Sequence, residues 1–231
     1  MLAGFGPQLL AGAAVTLELA FGALILGLAL GLAGAAAKLS PRRWISRPVT
    51  LLLNLLRGVP EFLILLIVYF GAAGLVGDDL APGPFGAGVF ALGLVFGAYA
   101  SETFRGGFLS VPHGQIEAAR ACGMSRSLVY RRVVLPIALR QALPSYGNEI
   151  ILMIKGTSLT SIITLLEITG IAQQIISQTY RAVEVFACAG AIYLAMNYLV
   201  AHLVAILEHR LSHHLRAPDV DTAMAIEGGL H

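Results

Sequence analysis

The sequence predicts an all-α, polytopic membrane protein with five spans, and three observations carry that prediction. Hydrophobic residues make up 57% of the 231 positions and charged residues only 12%. The apolar positions gather into long runs rather than into alternating ten-residue strands, which excludes an outer-membrane type barrel. Twelve of the 15 Lys and Arg residues fall in three clusters between or after those runs. A bilayer core of about 30 Å needs roughly 20 mainly apolar residues as helix, because every backbone N–H and C=O must be satisfied within the segment. A mean hydropathy of +0.81 fits such a chain and no ordinary water-soluble domain.

The first run spans Leu9 to Ala37, and the first cationic side chain is Lys38, so the run lacks the basic start of a secretory signal and reads as a retained helix. Lys38, Arg42, Arg43 and Arg47 follow, which assigns that loop to the cytoplasm. The second span, Val49 to Val76, ends in Gly77-Asp78-Asp79 and a Pro/Gly turn, an acidic loop expected outside. The third, Phe85 to Phe104, precedes a polar stretch with Arg105, Arg120, Arg126, Arg131, Arg132 and Arg140. The fourth, Ser145 to Ile168, contains the polar set Lys155-Gly156-Thr157-Ser158, and Gly170 to Glu184 reads as an amphipathic outer segment. The fifth, Val185 to Leu207, exits into His209-Arg210 and Arg216. All basic clusters then share one side, with the amino terminus outside and the carboxyl terminus in the cytoplasm. Residues 1–216 form the membrane domain and 217–231 a polar tail.

The net charge of +2 carries no nucleic-acid signature. Cys122 and Cys188 form no C-x-x-C pair and read as small apolar residues. No metal site or catalytic motif is expected. Within the polar loop, about 105–144, Pro112 suits a helix start, Gly123 permits the positive φ of a helix end and Ser125 can cap a second short helix, which Pro136 should close or kink. Ala118 and Ala119 are small enough for another surface to approach. The loop therefore reads as a docking knob of two short helices.

Ionisable residues within spans are costly, at least about 2.5 kcal/mol on insertion scales, and so face an interior, a cavity or a partner. Arg57 and Glu61, four apart, are expected to pair on one helix face. Glu102, Glu149, Lys155, Thr157, Ser158 and Ser161 are the candidates for a substrate path. The hydroxyls either serve a ligand at a broken helix or bond back to their own helix, and the sequence leaves both open. Gly27-x-x-x-Gly31 and Gly93-x-x-x-Gly97 are expected to let helices approach closely.

The run Glu117-Ala118-Ala119, three residues, Gly123, nine residues, Val133-x-Leu135-Pro136 resembles the EAA loop of ABC importer permeases, with valine in place of the usual isoleucine. Arg57-Gly58-Val59-Pro60, Tyr99 to Gly107, Val111 to Gln115 and Lys155 to Leu159 extend the resemblance to the polar amino acid permeases. Thr16 to Ala20 with Gly34 to Ser40 is similar to permeases for histidine, lysine, arginine and ornithine, and Ser161 to Tyr180 to opine permeases. Many members carry Asp where this chain has Gly156. The resemblance implies a type I permease fold in a bacterial inner membrane and inward movement of a polar, basic amino acid or derivative. It implies a pair of ATPase subunits, an external solute-binding protein and a second, similar permease, with a heterodimer favoured. Glu117, Ala118, Ala119, Gly123 and Pro136 are implied as the coupling residues. The chain has no G-x-x-x-x-G-K-[ST] loop, so any ATP is expected to bind the partner, and the chain itself is expected to hold no cofactor. The competing class is a gradient-driven secondary transporter or channel, whose inverted repeats are not visible in the sequence.

Overall fold

The computed structural model describes residues 4–77 and 82–212. The expected tail, 217–231, and Asp78-Asp79 lie outside them. The described elements are all helical: α1 (Gly6–Lys38), α2 (Arg43–Gly58), α3 (Glu61–Val76), α4 (Pro84–Leu109), α5 (His113–Ala121), α6 (Arg126–Val129), α7 (Leu135–Gly156), α8 (Ile168–Thr179) and α9 (Ala182–Ser212). Three of these are long and apolar enough to cross a membrane, α1, α4 and most of α9. Two bent pairs, α2 with α3 at 105° and Arg126–Ile163 with α8 at 49°, bring the number to as many as five.

The centre of the bundle is the crossing of α1 with α4. Lipid tails are as apolar as leucine, so helices in a membrane associate through close packing rather than through expulsion of water. Small residues supply that packing here. A Cβ on Gly31 would lie 2.7 Å from the Ala100 Cβ, and one on Gly97 would lie 2.8 Å from the Leu30 Cβ. A Cβ on Gly27 would collide with the Phe96 ring, and one on Gly93 with Leu26. Both small-residue spacings therefore pack as the sequence suggests. Around this contact, Leu19, Ala20 and Ala23 of α1 meet Leu92 and Phe96 of α4 and Met153 and Ile154 of α7. A second cluster joins Leu9 to Ile168, Ala172 and Ile175 of α8 and to Val185 and Ala189 of α9.

The second expected span is not one helix. Val59 adopts extended backbone, φ −91° and ψ 136°, because the ring of Pro60 disfavours the helical region for the residue before it. The chain turns there by 105°. The expected pairing of Arg57 with Glu61 fails for that reason: the i,i+4 geometry exists only within a continuous helix, and the break sends the two side chains to different neighbours. α2 carries Arg43 and Arg47 near its start and exposes Trp44, Leu51, Leu52 and Leu55 on its apolar side.

The fourth expected span also differs. Pro136 does not close the second loop helix; it lies in the first turn of α7, which continues from α6 through a wide π turn over Tyr130–Val134. The wider turn accommodates a residue that has no N–H and whose ring crowds the carbonyl of the preceding turn. The helix then runs through Pro144 to Gly156 and tightens into a 3₁₀ segment over Thr157–Ile163. Thr164 ends it with φ 67°, a left-handed conformation that is rare for a β-branched residue.

Candidate functional site

Two regions hold the candidate residues, a cavity among α3, α4 and α7 and the loop between α4 and α7. The cavity, of about 420 Å³, is lined by Glu61, Val95, Phe96, Tyr99, Glu149, Leu152, Met153, Lys155, Gly156, Ser158 and Leu159. Its size and mainly apolar wall with a few convergent polar groups are those of a small-molecule site. Of the six expected path residues, Glu149, Lys155 and Ser158 line it. Lys155 and Ser158 also border a second hollow of about 370 Å³ with Thr169, Phe186 and Tyr193.

The other hydroxyls answer the alternative left open by the sequence. Thr157 Oγ1 donates to the Ile154 carbonyl at 2.6 Å and is fully buried, and Ser161 Oγ donates to the Ser158 carbonyl at 2.8 Å. Ser158 and Thr160 do the same toward Lys155 and Thr157. Each reaches back three residues, the spacing that a 3₁₀ turn brings into register. Thr157 and Ser161 do not line the cavity, and Ser158 reaches it with its oxygen already committed as a donor to its own helix.

Glu149 and Glu102 have separate surroundings. Glu149 Oε1 accepts a short hydrogen bond from Thr103 Oγ1, and its Oε2 is buried without a hydrogen-bond partner. Glu102 lies in a different hollow with Thr103, Gly106, Gly107, Ser110, Gln141 and Ser145. There it binds the Lys38 ammonium at 2.7 Å through Oε1 and the Arg105 Nε at 2.7 Å through Oε2. Arg57, released from Glu61, lies 3.7 Å from the same carboxylate and stacks over the Tyr99 ring at 5.2 Å. Lys38 also donates to Ser101 Oγ at 3.1 Å, and its side chain is only 1% exposed. Glu102 is thus a structural node between α1, α2 and α4.

Sequence reasoning missed three things. Glu61 was assigned to a pair and instead faces the cavity. Tyr99 joins the cavity wall to Arg57. The third is Glu167, fully buried, which caps α8 by accepting from the Gly170 N–H at 2.8 Å and from the Tyr193 hydroxyl at 2.6 Å. The Ile168 N–H beside it donates to Thr16 Oγ1 at 3.4 Å, so this node ties α1, α8 and α9. An acid just before the apolar start of α8 was a visible capping signal.

In the loop, α5 ends in a Schellman motif: the Gly123 N–H donates to the Arg120 carbonyl at 2.9 Å and the Met124 N–H to the Ala119 carbonyl at 3.2 Å. Gly123 takes φ +78°, which only glycine adopts without cost. Ser125 Oγ then accepts from the Leu128 N–H at 3.4 Å. Glu117, Ala118 and Gly123 are exposed, but Ala119 is buried within the loop and does not present itself to another surface. The stacked rings of Phe108 and Tyr130, 6.0 Å apart and 11° from parallel, hold the start of the π turn against the end of α4.

Residues 23–213 match the family of binding-protein-dependent transport system inner membrane components. The chain belongs to this family. Among individual relatives, the permease is 48% identical to the octopine transport system permease protein OccM of Rhizobium meliloti over 88% of this chain and 85% of that protein. It is 36% identical to the histidine/lysine/arginine/ornithine transport system permease protein HisQ of Salmonella typhimurium, over 95% of this chain and all of that one. Among solved structures, one chain of an amino acid ABC transporter crystallised with histidines is 34% identical, with a TM-score of 0.82 over 90% of this permease and 96% of that chain. A chain of the MetNI methionine ABC transporter, at 20% identity and a TM-score of 0.77 over 90% of the permease and 98% of that chain, shares the fold.

Proposed function

We propose that this permease carries a polar, basic amino acid or an amino acid derivative of the opine kind inward across a bacterial inner membrane. The observation that carries the reading is the cavity of about 420 Å³, where the carboxylates of Glu61 and Glu149 and the ammonium of Lys155 share one largely apolar wall. Two acids suit a guanidinium or ammonium end of the cargo, and a lysine suits a carboxylate. The substrates named for the relatives are of that chemistry. The neighbouring end of α7, its 3₁₀ continuation and the left-handed Thr164 provide the interrupted helix that transporters use at their binding sites.

The energy comes from outside the chain. A pair of ATPase subunits docks on the loop from Pro112 to Pro136, with Glu117, Ala118, Gly123 and the α5–α6 turn as the outward surface and Ala119 and Pro136 shaping it from within. Closure of the ATPases moves the loop and the helices attached to it as rigid bodies. A solute-binding protein delivers cargo on the opposite face, and a second, similar permease completes the path as a heterodimer. The basic clusters put the amino terminus outside and the carboxyl terminus in the cytoplasm.

The test is uptake of labelled amino acids into vesicles holding the permease, its second subunit, the ATPase and the binding protein. Uptake of arginine, ornithine or an opine that requires internal ATP supports the reading. Uptake by the permease alone, driven by an ion gradient, overturns it.

A further inference from the structure

Glu61 opens α3 immediately after the extended Val59 and Pro60, and the 105° turn there swings its side chain across to the last residue of α7. That residue is Gly156. A Cβ placed on Gly156 would lie 2.7 Å from Glu61 Oε1 and 3.3 Å from Glu61 Oε2, so the carboxylate, the free end of a flexible side chain, would have to shift from its present place. The carboxylate occupies the space that a side chain at position 156 would fill. No cation or hydrogen-bond donor engages Glu61 among the described residues, although Lys155 lines the same cavity. Glu149 stands two turns earlier on the same face of α7, with Oε2 buried and unpartnered. One acid comes from α7 itself and the second is delivered onto that face by α3.

We propose that Glu61 is the specificity-determining carboxylate of this cavity, holding the cationic end of the cargo, and that Gly156 leaves it the place that a side chain there would displace it from. The proposal rests on the reading of the cavity as the cargo site. The break at Val59-Pro60 is then part of the recognition apparatus, since a continuous α2–α3 helix would point residue 61 elsewhere.

The experiment measures binding of L-arginine and of its uncharged isostere L-citrulline to the purified permease–ATPase complex, without the binding protein, by isothermal titration. Glu61→Gln is expected to lower the arginine-to-citrulline preference about tenfold or more, the scale of one lost charge-assisted hydrogen bond. The double variant Glu61→Ala with Gly156→Asp returns a carboxylate to the same space from the other helix and is expected to restore the preference, which an unfolded protein would not do. An unchanged ratio in Glu61→Gln alongside a lowered ratio in Glu149→Gln overturns the assignment of Glu61 and leaves the cargo site standing. An unchanged ratio in both overturns the cargo site as well. A loss in Glu61→Gln that Gly156→Asp fails to restore overturns the claim that the two positions share one space.

Discussion

Lys38 illustrates how a single side chain can tie two helices together. Its ammonium is shielded from solvent and spans Ser101 and Glu102, while Glu102 keeps Arg105 on its other oxygen. Lys38→Met removes the buried partner of a pair whose acid is partly exposed and keeps Arg105, and we expect a loss of about 1–2 kcal/mol, the scale of a hydrogen bond to a charged group. Thermal unfolding in detergent checks this, and the double variant Lys38→Met with Glu102→Gln should lose less than the single one. Tyr193→Phe removes the hydroxyl that donates to Glu167 while the Gly170 N–H stays in place, and should cost about 1 kcal/mol in the same assay. At this scale the sequence was legible only in part. Glu149 and Lys155 were placed near a cavity by the rule that ions at membrane depth need a reason. Arg57 and Glu61 were misread because spacing was allowed to outweigh the proline between them, and proline changes which residues share a face.

Among the elements, existence was easier to read than shape. Hydropathy located the runs, but it responds to composition over a window and registers neither the turn at Val59-Pro60 nor the π turn over Tyr130–Val134, which replace no apolar residue. The glycines divide by what surrounds them. Gly97→Leu should force α1 from α4 and cost about 1–3 kcal/mol, as overpacking does. Gly106→Ala meets nothing within 4 Å and should be neutral or stabilising, by up to about 1 kcal/mol. Gly123 also meets nothing within 4 Å, so only its left-handed φ of +78° resists substitution. Gly123→Val should cost about 1–2 kcal/mol in the loop and lower uptake per ATP hydrolysed in reconstituted vesicles. Unchanged substrate-stimulated hydrolysis and uptake would remove the loop from the coupling path.

Taken as one body, the permease shows large side chains outward along α1 and α9, with Leu10, Phe21, Leu194, Tyr198 and Leu203 all exposed, as a chain facing lipid must. Orientation can be read from residues already present. Cys122, exposed in the α5–α6 turn, should react with a membrane-impermeant maleimide in inside-out vesicles and stay unlabelled in right-side-out ones, with Cys188→Ala as the background. The reverse pattern would invert the proposed topology. The sequence made the fold class and the family readable because both rest on long runs and on motifs spread over most of the chain. The cavity was hidden, since it is assembled from α3, α4 and α7 and no stretch of sequence contains it.

The unbroken course from Arg126 through α7 to Gly156 has a mechanical meaning. At 1.5 Å per residue it is a rod about 45 Å long, with the proposed docking turn at one end and the wall beside Glu61 at the other. By simple trigonometry on that length, a tilt of about 5° about one end displaces the other by about 4 Å, the width of a methyl group. In the proposed coupling, such a crank carries small motions of the docking turn to the chamber along one continuous helical course.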